Sequence, residues 1–393
     1  MEDAYIASAV RTAGGRRNGA LSKWHPVDLG AQIINALIER VGCDPALVED
    51  VILGCVTQGG EQSNNVARNI VLSSVLPESV PACVIDRQCG SSQQALQFAA
   101  QAVMSGTMDV VIASGVESMS RVPMFSPSNL ARKAGMGFYF SPGLQARYPN
   151  VQEWSQFVGA DLMARKYELS PEALAAFALR SHQKAGEATA AGKFRNEIVP
   201  LDLLSEDGSP IGEQHKVDEG IRFDVSFDGI RAVSPILEGG LCSAATSSQL
   251  CDGASGIIVA NERGLKALGV EPLARVAHMS VIGCDPVVML EGPVPATLRA
   301  LKKTGMSIDD IDLFEINEAF ASVPLAWLKA THADPERLNV HGGAIALGHP
   351  LGASGTKLAT TLIHALHERN GRYGLQSMCE GGGMANVMIF EKL

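Results

Sequence analysis

The chain has 393 residues, 46% hydrophobic and 19% charged, with 40 glycines and a formal net charge of −10. That length and apolar content describe a well-buried protein of two domains or one large duplicated unit, with glycines marking close backbone approaches. The acidic balance argues against a basic nucleic-acid-binding surface, though a helix N-terminus can still hold an anionic cofactor, and no apolar run is long enough to span a bilayer.

The first predicted element is a strand over 4–10, so no cleavable leader is expected before it. A helix follows over 28–40, with Leu29, Ile33, Ala36 and Leu37 on one face. Next come a strand at 51–54, a helix at 65–74, a strand at 82–86, a helix at 92–104 and a buried strand at 110–114. Such alternation implies a mainly parallel sheet with helices on both faces. Residues 118–156 are rich in Met, Pro, Gly, Phe and Ser and have little periodicity. They read either as a folded excursion covering a site or subunit contact, or as a surface insertion. Residues 161–191 are helical, and 202–234 are polar and irregular.

The plan then repeats, with a strand at 311–316, helices at 319–330 and 354–368, and strands at 375–379 and 385–390. Gln88-Cys89-Gly90-Ser91-Ser92 leads into a helix, a strand and then Gly115. Leu351-Gly352-Ala353-Ser354-Gly355 leads into a helix, a strand and then Gly381. The matched spacing indicates an internal duplication of a β-α-β unit.

The cysteines lie at 43, 55, 83, 89, 242, 251, 284 and 379, with no Cys-x-x-Cys pair. Neither a zinc site nor a dithiol redox motif is indicated, and free thiols fit a cytoplasmic protein. His364 and His367 lie one helical turn apart without a third ligand, read as solvated, and no metal is expected.

Cys89 sits at a strand-to-helix turn, where the helix N-terminus offers N–H groups and partial positive charge. A thiol there is expected to shift toward thiolate; a pKa near 7 instead of about 8.5 would ionise roughly half of it at neutral pH. His349, in Gly348-His349-Pro350, occupies the matching position before the second helix. Beside a thiol, a histidine is the base that draws off its proton. A lone histidine is more often structural; the glycine frame and the duplicated position favour chemistry here. Cys379 ends a buried strand and is followed by Gly381, Gly382 and Gly383, whose backbone N–H groups can face an oxyanion. Taken alone, it reads as a small buried hydrophobe. Asn317 and Glu318 stand where a strand passes into a helix, the edge where ligands collect, and Asn317 equally suits a helix cap. The run 341–355 lacks a P-loop or dinucleotide fingerprint, so nucleotide hydrolysis and hydride transfer are unsupported.

Gln88-Cys89-Gly90-Ser91, Asn317-Glu318-Ala319-Phe320, Gly342-Gly343-Ala344 with Gly348-His349-Pro350, and Cys379-Glu380-Gly381-Gly382-Gly383 resemble the four signature blocks of the thiolases. The resemblance runs over essentially the whole chain. It implies a five-layer α-β-α-β-α sandwich of two duplicated halves, 1–262 with a loop domain at about 118–245, and 270–393. It implies an acyltransferase with coenzyme A as co-substrate and acyl-CoA thioesters as partners, with no permanently bound cofactor, assembled as a homodimer or homotetramer.

The mechanism implied has Cys89 attack the keto carbon of a 3-ketoacyl-CoA while His349 takes its proton. Acetyl-CoA leaves as an enolate, which Cys379 protonates, and a second CoA accepts the acyl group. Asn317, through a water, and His349 would form one oxyanion hole; the N–H groups of Cys89 and Gly381 would form the other. For CoA, the resemblance points to Ser248 on the pantetheine arm, Arg222 at the nucleotide end, and Ala319 and Phe320 along the tunnel; Ser248 and Arg222 equally suit plain surface positions.

Position 341 is histidine where the family often has asparagine. Glu380 replaces a commoner small or apolar residue, where it would raise the Cys379 thiol pKa or point to solvent. The stretch 57–65, Asp86-Arg87-Gln88-Cys89 and Cys379-Glu380-Gly381 are similar to actinobacterial thiolases of steroid breakdown. The expected function is degradative. The alternatives are a biosynthetic acetoacetyl-CoA thiolase, or a non-catalytic CoA or lipid carrier on the same body. Cys379 speaks against a ketoacyl synthase, which uses two histidines. Arg121, Arg132, Lys133 and Arg147 either receive a substrate carboxylate or are simply exposed.

Overall fold

The computed structural model describes residues 2–393. Nine strands form the backbone of the sheet: β1 Tyr5–Thr12, β2 Asp50–Gly54, β3 Ala82–Ile85, β4 Val110–Ser118, β5 Cys251–Ala260, β6 Ala274–Gly283, β7 Leu313–Ile316, β8 Tyr373–Glu380 and β9 Met384–Lys392. Their order across the described residues is β7-β8-β9-β6-β1-β5-β4-β2-β3.

This order is a repeat read outward from the centre. From β1 outward, the pairings with β5 and β4 are antiparallel, and those onward to β2 and β3 are parallel. From β6 outward, β9 and β8 are antiparallel and β7 is parallel, with a parallel bridge from Phe314 to Leu338 where a counterpart of β3 would lie. The two sets meet through a short antiparallel ladder, Tyr5 opposite Arg275 and Ile6 opposite Ala274. The sheet is therefore mixed, not mainly parallel as the element alternation implied. The last strand of each half returns antiparallel, a long-range pairing that an apolar run does not encode.

Four helices build the layers: α1 Pro26–Val41, α2 Ser91–Met104, α3 Pro293–Thr304 and α4 Ser354–Arg369. α1 packs outside β1 and β5, and α3 outside β6 and β9. α2 and α4 pack on each other between the two strand sets, which gives five layers. α1 is amphipathic as its periodicity predicts: Leu29, Ile33, Ile34 and Leu37 are fully buried. Each such side chain contributes about 1.5–3 kcal/mol.

The central helices cross at their N-termini. Thr356 N donates to Ser92 Oγ at 3.0 Å. A Cβ on Gly355 would lie 2.0 Å from the Gln93 backbone nitrogen. Gly355→Ala should therefore cost about 1–3 kcal/mol by forcing the helices apart. A lower denaturant midpoint with an unchanged slope would show it.

The excursion at 118–156 carries short helices at Ser126–Lys133 and Pro142–Arg147. The helical stretch at 161–191 is two helices, Gln156–Lys166 and Pro171–Ala190. Glu168 at φ 50 and Pro171 break it. Residues 202–234, expected to be irregular, contain most of a hairpin of Leu201–Leu204 with Pro210–His215. Among the described residues, no helix is long and apolar enough to cross a membrane.

Candidate active site

The Cys89 turn is built by its own neighbours. Gln88 N–H donates to Asp86 Oδ1 at 2.8 Å, and Arg87 N–H to Ser91 Oγ at 2.9 Å. Gln88 adopts φ 49, a left-handed conformation that costs a non-glycine residue about 1–2 kcal/mol and is often kept at functional turns. α2 starts at Ser91, so Cys89 stands just before its first turn. Cys89 nevertheless does not lean toward thiolate. Burial, then the Glu380 carboxyl, pushes the thiol up to about 12. Desolvation outweighs the helix end.

His349 is fixed on four sides. Its backbone N–H donates to Gln249 O at 3.1 Å. Ser354 Oγ donates to Pro350 O at 2.9 Å, which uses its only hydrogen. The 2.5 Å contact between His349 Nδ1 and Ser354 Oγ must then be donated by the ring. Nε2 is left as the lone-pair nitrogen, facing Asn317 Nδ2 at 3.4 Å. Lys357 Nζ holds the carbonyls of Leu347 at 2.5 Å and Gly348 at 3.1 Å, and so holds the loop. Burial, then the Lys357 charge, pushes His349 down to about 3. At neutral pH the ring is uncharged and able to accept a proton at Nε2.

Asn317 is not a helix cap, because the following helix begins only at Ser322. It sits in the loop after β7 with its N–H on Ser377 O at 3.1 Å, leaving its amide turned to His349. Glu318 is no ligand candidate. Its carboxylate accepts from Ser181 Oγ at 2.6 Å, Asn339 Nδ2 at 2.9 Å and Ile345 N at 3.1 Å.

Cys379 is the penultimate residue of β8 and is fully buried. Burial, then the nearby Cys89, raises its thiol well above the usual range. The two turns lie against each other: a Cβ on Gly381 would lie 2.9 Å from Gln88 Oε1. The loop holding His349 is tied to the other half by Glu117, whose Oε2 accepts from Val56 N at 2.9 Å and Gly352 N at 2.8 Å.

A cavity of about 450 Å³ is lined by Cys89, Ala319, Leu351, Gly381 and Gly382; His349, Asn317 and Cys379 are not among its lining residues. Met124, Phe125, Tyr139, Trp154, Met289 and Leu290 add an apolar and aromatic wall, and Asp86, Gln88 and Ser128 add polar positions. The aperiodic stretch 118–156 thus supplies cavity wall. Ser248 does not line the cavity; it is half-buried, with its N–H on Ala319 O at 2.9 Å. Phe320 lies behind Ala319 against Phe157, with ring centroids 6.0 Å apart. Arg222 is exposed, and its backbone N–H donates to His182 Nδ1 at 3.2 Å. The structure does not bring it to the cavity.

Other expectations need correction. Arg121 is paired with Glu61 at 2.5 Å and is not free for a substrate carboxylate. His364 and His367 are not simply solvated: they contact the carbonyls of Ala9 at 3.2 Å and Leu273 at 2.7 Å. His341 faces Glu368 at 3.1 Å and Phe194. Ser354 and Lys357 were missed in the sequence. A serine opening a helix is a readable signal; a buried lysine on a helix is not.

Known proteins share this chain's sequence and fold. Residues 4–263 match the family description "Thiolase, N-terminal domain", and 270–392 match "Thiolase, C-terminal domain". The chain is 50% identical to the steroid 3-ketoacyl-CoA thiolase FadA6 of Mycobacterium tuberculosis, over 100% of this chain and 95% of that protein. It is 41% identical to a 3-ketoacyl-CoA thiolase of Bacillus subtilis, over the full length of both. The crystal structure of human mitochondrial 3-ketoacyl-CoA thiolase superposes with a TM-score of 0.88 at 33% identity, covering 100% of this chain and 99% of that one.

Proposed function

The chain belongs to the thiolase family of acyltransferases, and from that premise we propose that it cleaves bulky, ring-bearing 3-ketoacyl-CoA esters with CoA. The observation that carries the substrate class is the cavity wall of Met124, Phe125, Tyr139 and Trp154 leading to Cys89. Large apolar and aromatic side chains suit a broad hydrophobic acyl group. A relative at 50% identity named for steroid substrates supports the same reading.

In this reading both partners start neutral, so no thiolate–imidazolium pair waits in the resting site. Cys89 Sγ attacks the C3 carbonyl as its proton passes to His349 Nε2. The C2–C3 bond breaks, and its electron pair forms the enolate of acetyl-CoA. Cys379 gives that carbon a proton and is reprotonated at the expense of the His349 imidazolium; CoA thiol then displaces the acyl group from Cys89, its proton passing through His349 to the Cys89 sulfur. Protonation changes Nε2 from acceptor to donor, so Asn317 Nδ2 and Nε2 then present two donors side by side to the thioester enolate. The N–H groups of Cys89 and Gly381 would serve the tetrahedral intermediate. Ala319, on the cavity wall, would flank the pantetheine arm, with Ser248 behind it through its N–H on the Ala319 carbonyl, while Arg222 would be at most a contact outside the cavity.

A thiolysis panel tests the substrate class. The ring-bearing ester should exceed the four-carbon ester by at least about tenfold in kcat/KM. A preference for the four-carbon ester would instead favour the biosynthetic reading.

A further inference from the structure

Glu380 ends β8 next to Cys379, and its side chain is fully buried. Among the described residues, neither carboxyl oxygen has a hydrogen-bond partner. An ionised carboxylate in that state is costly, so a group kept there invites an explanation. The carboxyl faces the turn of Cys89. A Cβ on Gly90 would lie 2.1 Å from Glu380 Oε1 and 2.7 Å from Asn386 Nδ2. Asn386 stands on β9 opposite Met378 and donates from Nδ2 to the Gly90 carbonyl at 3.0 Å. Its Oδ1 also lacks a partner. Glu380 and Asn386 Oδ1 thus stand as unpartnered acceptors beside the glycine that follows Cys89, and Arg87 Nε is a buried donor without a partner in the turn before it. A carboxylic acid carries the O–H that would pair the two acceptors.

Resting on the reading of Cys89 as nucleophile, we propose that Glu380 is a positioning residue: protonated, it donates to Asn386 Oδ1 and fixes the amide that clamps the Gly90 carbonyl, whereas ionised, it sets a negative charge behind Cys89. The protein can then hold its nucleophile's turn rigid while keeping an acid-to-carboxylate switch at its back.

Several charged groups face this pair. Arg87, in the turn before Cys89, favours the carboxylate of Glu380, but burial prevails and holds Glu380 up at about 8. Asp86 and Glu117 act on Cys89 in the same sense as Glu380. Cys379 on the same strand and Cys284 beyond β6 also feel the Glu380 charge. Because the pKa of Glu380 is raised, it stays neutral below that value and gains charge as pH rises through it. A change at Glu380 alone leaves Arg87, Asp86 and Glu117 in place, while Cys379 and Cys284 lose the same charge that Cys89 loses.

The test uses the full chain with Glu380→Gln, which keeps the shape and an N–H donor but cannot ionise. Iodoacetamide labelling of Cys89 is followed by peptide mapping across pH. The parent and variant should react alike at about pH 6, and the variant should lead by about tenfold at about pH 10, one pKa unit of relief. Glu380→Ala removes the donor as well, and its kcat should fall about tenfold below that of the glutamine variant. Parallel labelling curves for parent and glutamine variant, or equal kcat in the two variants, would overturn the proposal. If the alanine variant does not fold, the labelling curves decide alone. Full turnover with Cys89 completely alkylated would overturn the nucleophile assignment itself, a separate and recognisable result.

Discussion

Cys89→Ala should abolish both thiolysis and condensation, with a loss of at least about 10⁴-fold, as for other covalent nucleophiles. The acyl group has nowhere else to go. Cys89 is the thiol that lines the cavity, at its Ala319 and Gly381 end. Cys55, Cys242 and Cys251 are buried elsewhere, and burial raises each of their thiols. The substitution leaves the turn intact, because Asp86, Ser91 and Arg87 hold it through groups other than the thiol. Trapping of an acyl-enzyme followed by intact-mass measurement would show the adduct in the parent and none in the variant. An adduct of full yield in the variant would refute the assignment.

Cys379→Ala should split the reaction in two. The acyl group should still exchange between CoA and Cys89, because that half needs only Cys89, His349 and the donors around them. Carbon–carbon cleavage should fall by about 10²–10⁴, the usual worth of a general acid or base. His349 should not substitute, because its Nδ1 is committed to Ser354 and the proposed mechanism assigns its Nε2 to the Cys89 proton. Exchange of labelled CoA into acyl-CoA, measured beside thiolysis, separates the halves. Equal loss of both would mean that Cys379 supports the structure of the Cys89 turn rather than moving a proton.

Much of this site was legible because its signals are local. The turn residues around Cys89 and the glycines around His349 announce themselves within a few positions. α1, α2 and α4 follow from apolar periodicity. What stayed hidden depends on distant partners. The antiparallel return of β5 and β9 is decided by pairing across the sheet. Asn317 has the composition of a cap, yet Ser377 and His349 hold it in a loop. The ionisation of Cys89 was misread for the same reason. A helix end is visible in sequence, whereas the burial that outweighs it, and after it the Glu380 carboxyl from the other half, are not. The aromatic wall came from the stretch with the least pattern, where only tertiary contact assigns a role.

Neither end of the polypeptide owns a working site. Cys89 arrives with the first strand set, while His349 and Cys379 arrive with the last, and the helices that follow Cys89 and His349 touch where Gly355 meets Gln93. Competence is thus acquired late, when both sets have docked, so a half-made chain exposes no matched thiol pair to unwanted acyl donors. Warming that loosens this one crossing should silence the enzyme while its strands are still zipped.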